Sequence, residues 1–332
     1  MRALAPVLDV LAASARHGGM LLAVGVFGGL LVPPLADALH WFIAPNVVAL
    51  MTLVLLRVDI PDAMRHLRRP GRLAAIVAFH ALAAPVLVWA AVAPLALDPG
   101  IAGALVIFAT GCAATSGAAF ARLVGLDAEL TLLATLATTV LVPFTAPPMV
   151  HLLIGIDLAL SLPAFMARLG LVVGVPLLLS VLIRRLVGPA RLTPLGPAID
   201  GVVVWILVLY GFGVMRGLAG RLLDDPAWVA QAAAAAFLGS FGLNLATTLG
   251  FGLAFGGVGW RVAASAGLMG GNRNMALYLA ILPAAADPRI GLFFALCQFP
   301  LFLSPLLLRP VYRWARSIGG REAGVDASGD KA

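Results

Sequence analysis

The stretch MGGNRNMALYL (Met269–Leu279) places an arginine, two asparagines and a Gly-Gly pair inside an otherwise apolar run. No Asp or Glu occurs between Asp225 and Asp287, so neither this run nor the one before it supplies a counter-charge for Arg273. An arginine at the centre of a membrane helix costs roughly 2.5–3.5 kcal/mol on insertion scales. Trp260 and Pro283 bound the run and Arg273 falls near its middle, where snorkelling to the headgroups is the poorer explanation. Three things can carry the charge: a carboxylate from elsewhere in the chain, backbone carbonyls with water, or a bound anion.

The rest of the chain makes the membrane setting plain. Of 332 residues, 62% are hydrophobic and 11% charged, against roughly 25% charged in soluble domains. Apolar runs of spanning length recur throughout, which defines a polytopic all-α membrane protein. Ten spans are expected, near 18–36, 41–57, 72–94, 99–123, 128–154, 164–187, 194–215, 227–256, 260–283 and 290–310. The first carries no small-residue cleavage site and reads as a true span. Residues 1–17 and 311–332 are then terminal segments, 18–154 and 164–310 two five-span halves.

The net charge of +7 belongs to topology rather than to nucleic acid. Of the 22 Lys and Arg, 17 fall in segments on one side of this map, four (Arg168, Arg216, Arg221, Arg289) on the other, and Arg273 lies within. The positive-inside rule puts both termini and the loop Arg57–Arg72 in the cytoplasm, the membrane being the inner or plasma membrane of the cell. The basic loops also suit anionic headgroups of the bilayer. Five spans per half means that the second half enters with opposite orientation, the arithmetic of an inverted repeat.

No HExxH, P-loop or GxSxG motif occurs, the two cysteines (Cys112, Cys297) sit in apolar runs, and the five histidines show no metal-ligand spacing. No enzyme and no resident cofactor is expected. What stands out is a pair of interruptions. GCAATSGAAF (Gly111–Phe120) breaks span 4 and GGNRN (Gly270–Asn274) breaks span 9, its counterpart. Lipid cannot satisfy the backbone groups of a broken helix, so each break must face protein or a water-filled cavity. Two breaks at corresponding positions are a pointer to a substrate site, with half-helix N-termini favouring anions. For GCAATSGAAF alone, close helix packing by small residues is an equal reading.

Leu97–Met149, with its small-residue break and its Thr-bearing, proline-rich following span, resembles the bile acid:sodium symporter family. MTLVLLRVDIPDAMRHLRRPGRLAAIVAFHALAAPVLVW (Met51–Trp89) resembles that family's second and third spans, and GLNLATTLGFGLAFG (Gly242–Gly256) with GGNRNMALYLAILP (Gly270–Pro283) its eighth and ninth. The resemblance implies ten helices in two inverted five-helix repeats, with discontinuous helices 4 and 9 crossing near mid-membrane. It assigns spans 1, 2, 6 and 7 to a panel and spans 3–5 and 8–10 to a core that rocks against it, carrying small organic anions, commonly with sodium. It implies cation ligands at Thr115, Thr131 and Thr135, with Ser116 near a position where the family has Asn and this chain has Ala118. Where the family has Gln on span 3 the chain has His80; where it has Glu on span 9, Ala266 or Leu268 stands; Asn272 is the nearest match to its span-9 Gln.

The expected function is therefore a secondary transporter of a small organic anion. Arg273, Asn272, Asn274, Asn244 and His80 are the expected substrate-binding residues; Thr115, Ser116, Thr131 and Thr135 the cation ligands if sodium is used. Sodium is the coupling ion the resemblance implies; proton coupling by His80, or none, fits the lost carboxylate, since Arg273 can stand where a cation's charge stood. A sensor or channel on the same scaffold is the competing class. Topology is checked by reporter fusions: those at residue 65 and at both termini should report cytoplasm and those within 155–163 the outside, and a fusion at 65 reading outside overturns the ten-span map.

Overall fold

A computed structural model describes residues 5–57, 70–155, 161–254, 259–283 and 286–318. Residues 58–69 of the expected cytoplasmic loop, 156–160 of the expected outer segment and the tail beyond 318 lie outside the described residues. Among the described residues the chain is all-helical, with no strand and one isolated β-bridge, Ala113↔Arg273. Among the described residues six helices are long and apolar enough to cross a membrane, and up to eight if each of two bent pairs is one span. This composition and length suit a multi-pass membrane protein. The count stays below the expected ten for a physical reason. The stretches 99–123 and 260–283 are broken, each into a helix of 12 residues and a helix of 7, and neither half reaches spanning length.

By its contacts the chain forms two compact units, each built from segments of both halves of the sequence. The first takes residues from 1–60, 158–229 and 276–295. It holds the four spans that the resemblance assigns to the panel, together with 276–295, which the resemblance gives to the core. Helix Gly196–Val214 is its axis, packed against Ala5–Arg16, Gly18–Leu31, Pro33–His40 and Ile43–Leu56. Gly25 and Gly29, one turn apart on Gly18–Leu31, allow the closest approach. A Cβ at Gly25 would stand 2.7 Å from the Val208 carbonyl oxygen, and one at Gly29 2.6 Å from that of Phe212. This is the small-xxx-small packing of helices that have no hydrophobic drive to associate in lipid. Residues 5–16, expected as part of a terminal segment, are a helix whose Leu11 carbonyl rests on Gly201 and whose Ser14 Oγ accepts from Trp205 Nε1. Leu162–Val187 packs on Ile43–Leu56 and exposes Leu171, Leu178, Leu182 and Leu186, as a lipid-facing surface does.

The second unit takes residues from 61–157, 230–275 and 296–332. Asp98 starts Pro99–Thr110 by accepting from the Gly100 and Ile101 amides, and Asp127 starts Ala128–Ile154 by accepting from the Leu130 amide; both are N-caps of the ordinary kind. Helix Trp260–Gly271 lies between two apolar clusters. Ala263, Ala266 and Met269 join Ile76, Val77, Ala113, Leu130, Ala134 and Phe251. Ala264 and Leu268 join Ala121, Val124, Leu126, Leu308, Tyr312 and Ala315. Every residue from Ala263 to Gly271 is buried, the mark of a helix surrounded by protein on all sides.

The Gly25 contact gives a test. Gly25→Leu must push a side chain into the Val208 backbone, where overpacking costs typically 1–3 kcal/mol. The expected result is a thermal midpoint in detergent several degrees below wild type, while Gly71→Ala, with no atom near its Cβ position, leaves the midpoint unmoved.

Candidate functional site: two paired helix breaks

Helix Pro99–Thr110 ends at Gly111, and Trp260–Gly271 ends at Asn272, in extended backbone in both cases. The two breaks lie antiparallel and bond to each other. The Ala114 amide donates to the Asn272 carbonyl at 2.8 Å, and the Asn274 amide donates to the Cys112 carbonyl at 2.9 Å. The Ala113 amide donates to Thr138 Oγ1 at 3.3 Å. Glycine at the end of the first helix permits this approach: a Cβ at Gly111 would stand 2.7 Å from Met275 Cε and 3.4 Å from Arg273 Cβ.

The last carbonyls of a helix have no partner within it, and Arg273 takes up one at each of these two helix ends. In an unbroken helix the Gly270 carbonyl would accept from the Asn274 amide, but that amide serves Cys112. The Gly270 carbonyl accepts instead from Arg273 Nε at 2.9 Å. The Gly111 carbonyl, at the end of the other helix, accepts from Arg273 Nη1 at 2.7 Å. Ser240 Oγ donates to the Gly271 carbonyl at 2.8 Å. Arg273 is 2% exposed, so its charge rests on carbonyl dipoles and on the negative ends of two helices, each equivalent to roughly half an elementary charge.

A third carbonyl comes from His80. The helix through Pro70–Val92 makes a π turn at Phe79–Ala83, where the Ala84 amide bonds Phe79 rather than His80. Its next residue, Pro85, has no N–H and its ring collides with the preceding turn, a setting in which a one-turn π-bulge relieves the clash. The His80 carbonyl is thereby denied both backbone donors in reach, and Arg273 Nη1 stands 3.5 Å from it. The His80 ring is fully buried; its Nε2 donates to the Ala266 carbonyl at 3.1 Å, and its Nδ1 has no hydrogen-bond partner.

Among the expected site residues, Arg273, His80 and Asn272 share this buried place with the bridge. Asn272 pairs with Ser304, Nδ2 donating to Oγ at 2.8 Å and Oγ in contact with Oδ1 at 3.0 Å. Asn244 is fully buried and its Nδ2 donates to the Tyr312 hydroxyl at 2.7 Å. Thr131 Oγ1 donates to the Asp127 carbonyl at 2.6 Å, and Thr135 Oγ1 is buried without a partner. Both line the helix Gly117–Leu123, a Cβ at Gly117 standing 3.3 Å from Thr131 Cγ2 and 3.6 Å from Thr135 Oγ1. Thr115, Ser116 and Asn274 are only partly buried. They are the partly exposed polar residues of the breaks, Thr115 and Ser116 just before Gly117–Leu123 at one end of the antiparallel bridge and Asn274 just before Met275–Ile281 at the other.

Thr138, Ser240, Ser304 and Tyr312 complete the site and are not among the sequence expectations. Thr138 could have been found, because it follows Thr131 by seven residues and Thr135 by three, on one helix face. Ser240 precedes Asn244 by one turn and carries the same signal. Ser304 and Tyr312 carry none, since their partners lie 32 and 68 positions away. Compared with known protein families and with curated proteins, the chain matches none.

The accounting of carbonyls is checked at Ser240. Ser240→Ala leaves the Gly271 carbonyl buried and unbonded, at a cost of about 1–3 kcal/mol. A lowered thermal midpoint in detergent is expected, with Ser240→Thr, which keeps the hydroxyl, close to wild type.

Proposed function

We propose that this chain is a secondary transporter of a small organic anion, built on ten spans in two inverted five-helix repeats. The observation that carries the reading is the backbone pairing of two helix breaks at Ala113 and Arg273, each following a 12-residue helix and preceding one of 7. Equal half-helices in corresponding positions are what inverted repeats lead one to expect, and broken helices of this kind line substrate sites in carriers. The resemblance in sequence to the bile acid:sodium symporter family supports the anion as cargo.

The substrate is taken up along the bridge at its partly exposed residues, by the Thr115 and Ser116 hydroxyls at one end and the Asn274 amide at the other. Donation from hydroxyl and amide groups suits a carboxylate. Arg273 acts behind them: its field favours an anion nearby, while its hydrogen bonds serve the fold. Asn272, Asn244 and His80 hold the buried part of the site in shape. Transport proceeds by alternating access.

The test is uptake of labelled organic anions into proteoliposomes. Uptake that saturates with concentration is expected for one or more small carboxylates, and a flux linear in concentration would instead favour a channel. Ser116→Ala with Asn274→Ala should raise KM about a hundredfold or more, the loss of two hydrogen bonds to a charged group at roughly 1.5–3 kcal/mol each, with the thermal midpoint close to wild type.

A further inference from the structure

We propose that Arg273 is a tethered cation: its guanidinium permanently fills a carbonyl-lined position able to hold a mobile monovalent cation, so the carrier works without one. The flux consequence rests on the transporter reading above; the cation site itself does not.

The position is made by backbone. Three carbonyl oxygens converge on the guanidinium from three separate segments: Gly270 at 2.9 Å, Gly111 at 2.7 Å and His80 at 3.5 Å. Each is oxygen that main-chain bonding has left over. The Asn274 amide is used by Cys112, Gly111 stands past the end of its helix, and His80 has lost one donor to the π turn and another to Pro85. Shortening the side chain at 273 removes none of these causes. Oxygens arranged in this way replace a hydration shell, as they do in ion-selective pores. Unwound carbonyls and half-helix C-terminal ends are also the groups that seat coupling cations in carriers with broken helices.

The charge fits as well. Among the described residues of this unit the carboxylates are Asp98, Asp127 and Glu129. Asp98 and Asp127 cap helix starts, and a twelve-residue helix, about 18 Å long, separates Asp98 from the break. The carbonyls and helix ends at the bridge supply negative potential, which suits one positive charge. A mobile cation arriving there would draw the three segments together and release them on leaving, and that is how binding of an ion becomes coupled to movement of a carrier. A cation joined to the chain holds the three segments together throughout, and the substrate moves without a co-transported cation.

The experiment begins with purified protein and needs no transport. Thermal midpoints of wild type and Arg273→Ala are measured in choline chloride, then with sodium, lithium, potassium or millimolar ethylguanidinium added at constant ionic strength. Wild type should show the same midpoint in all. Arg273→Ala should melt several degrees lower in choline and recover, saturably, with at least one small cation. An Arg273→Ala protein that folds and responds to none of them overturns the proposal, as does a wild type stabilised by sodium. If Arg273→Ala does not fold, Arg273→Lys against Arg273→Gln decides: lysine close to wild type and glutamine far below supports a tethered charge, and equal damage by both overturns it. Once an anion substrate is in hand, wild-type flux should be unchanged when choline replaces sodium; flux that stops in choline overturns the proposal. Absence of flux for every anion counts against the transporter reading, while the melting measurements still decide the cation site.

Discussion

Everything in the second unit follows from one requirement: a helix interrupted in an apolar setting must find partners for its freed amides and carbonyls inside the protein. The chain meets it by laying two interruptions side by side, each donating one amide and accepting one. That arrangement demands close approach, and close approach demands small side chains. Gly111 faces Met275 and Arg273 of the other break, while Gly270 and Gly271 let helix Trp260–Gly271 lie against Ser240, Asn244 and Thr247.

The paired breaks also separate charge. Carbonyl-rich helix ends meet the buried guanidinium; the partly exposed Thr115, Ser116 and Asn274 stand at the start of the following helices. An arginine that looks anomalous in an apolar run is in place here, because an apolar side chain would leave the Gly270 and Gly111 carbonyls without the donors Arg273 supplies. Its insertion cost of roughly 2.5–3.5 kcal/mol is offset by the carbonyls it satisfies, each worth about 1–3 kcal/mol if left bare.

Much of this was open to a reading of residues alone, and the division is instructive. The long helices declare themselves by hydropathy, and both interruptions by polar and small residues in apolar runs. The depth of Arg273 and the lack of a nearby carboxylate follow from counting, and carbonyl solvation was one of three possibilities left standing. What could not be read is what depends on distant contacts. Nothing in the run QFPLFLSP marks Ser304 as the partner of Asn272, and nothing marks Tyr312 as the partner of Asn244. Helix Ala5–Arg16 was missed because its hydrophobicity is modest and its stability comes from packing on Gly196–Val214. The association of residues 276–295 with the first unit was missed because a break assigns its two sides independently, and hydropathy does not see where each side packs.

The bridge has a consequence for how the protein is made. Gly111 and Arg273 are 162 positions apart in the chain. At about 5–20 residues per second, the ribosome needs on the order of 10–30 s to deliver the second break after the first. During that interval the amides and carbonyls of the first break lack the partners that the second break supplies. The first broken helix is thus a segment whose insertion is completed late, and a stall in synthesis between the two would leave it dependent on membrane chaperones or exposed to quality-control proteases.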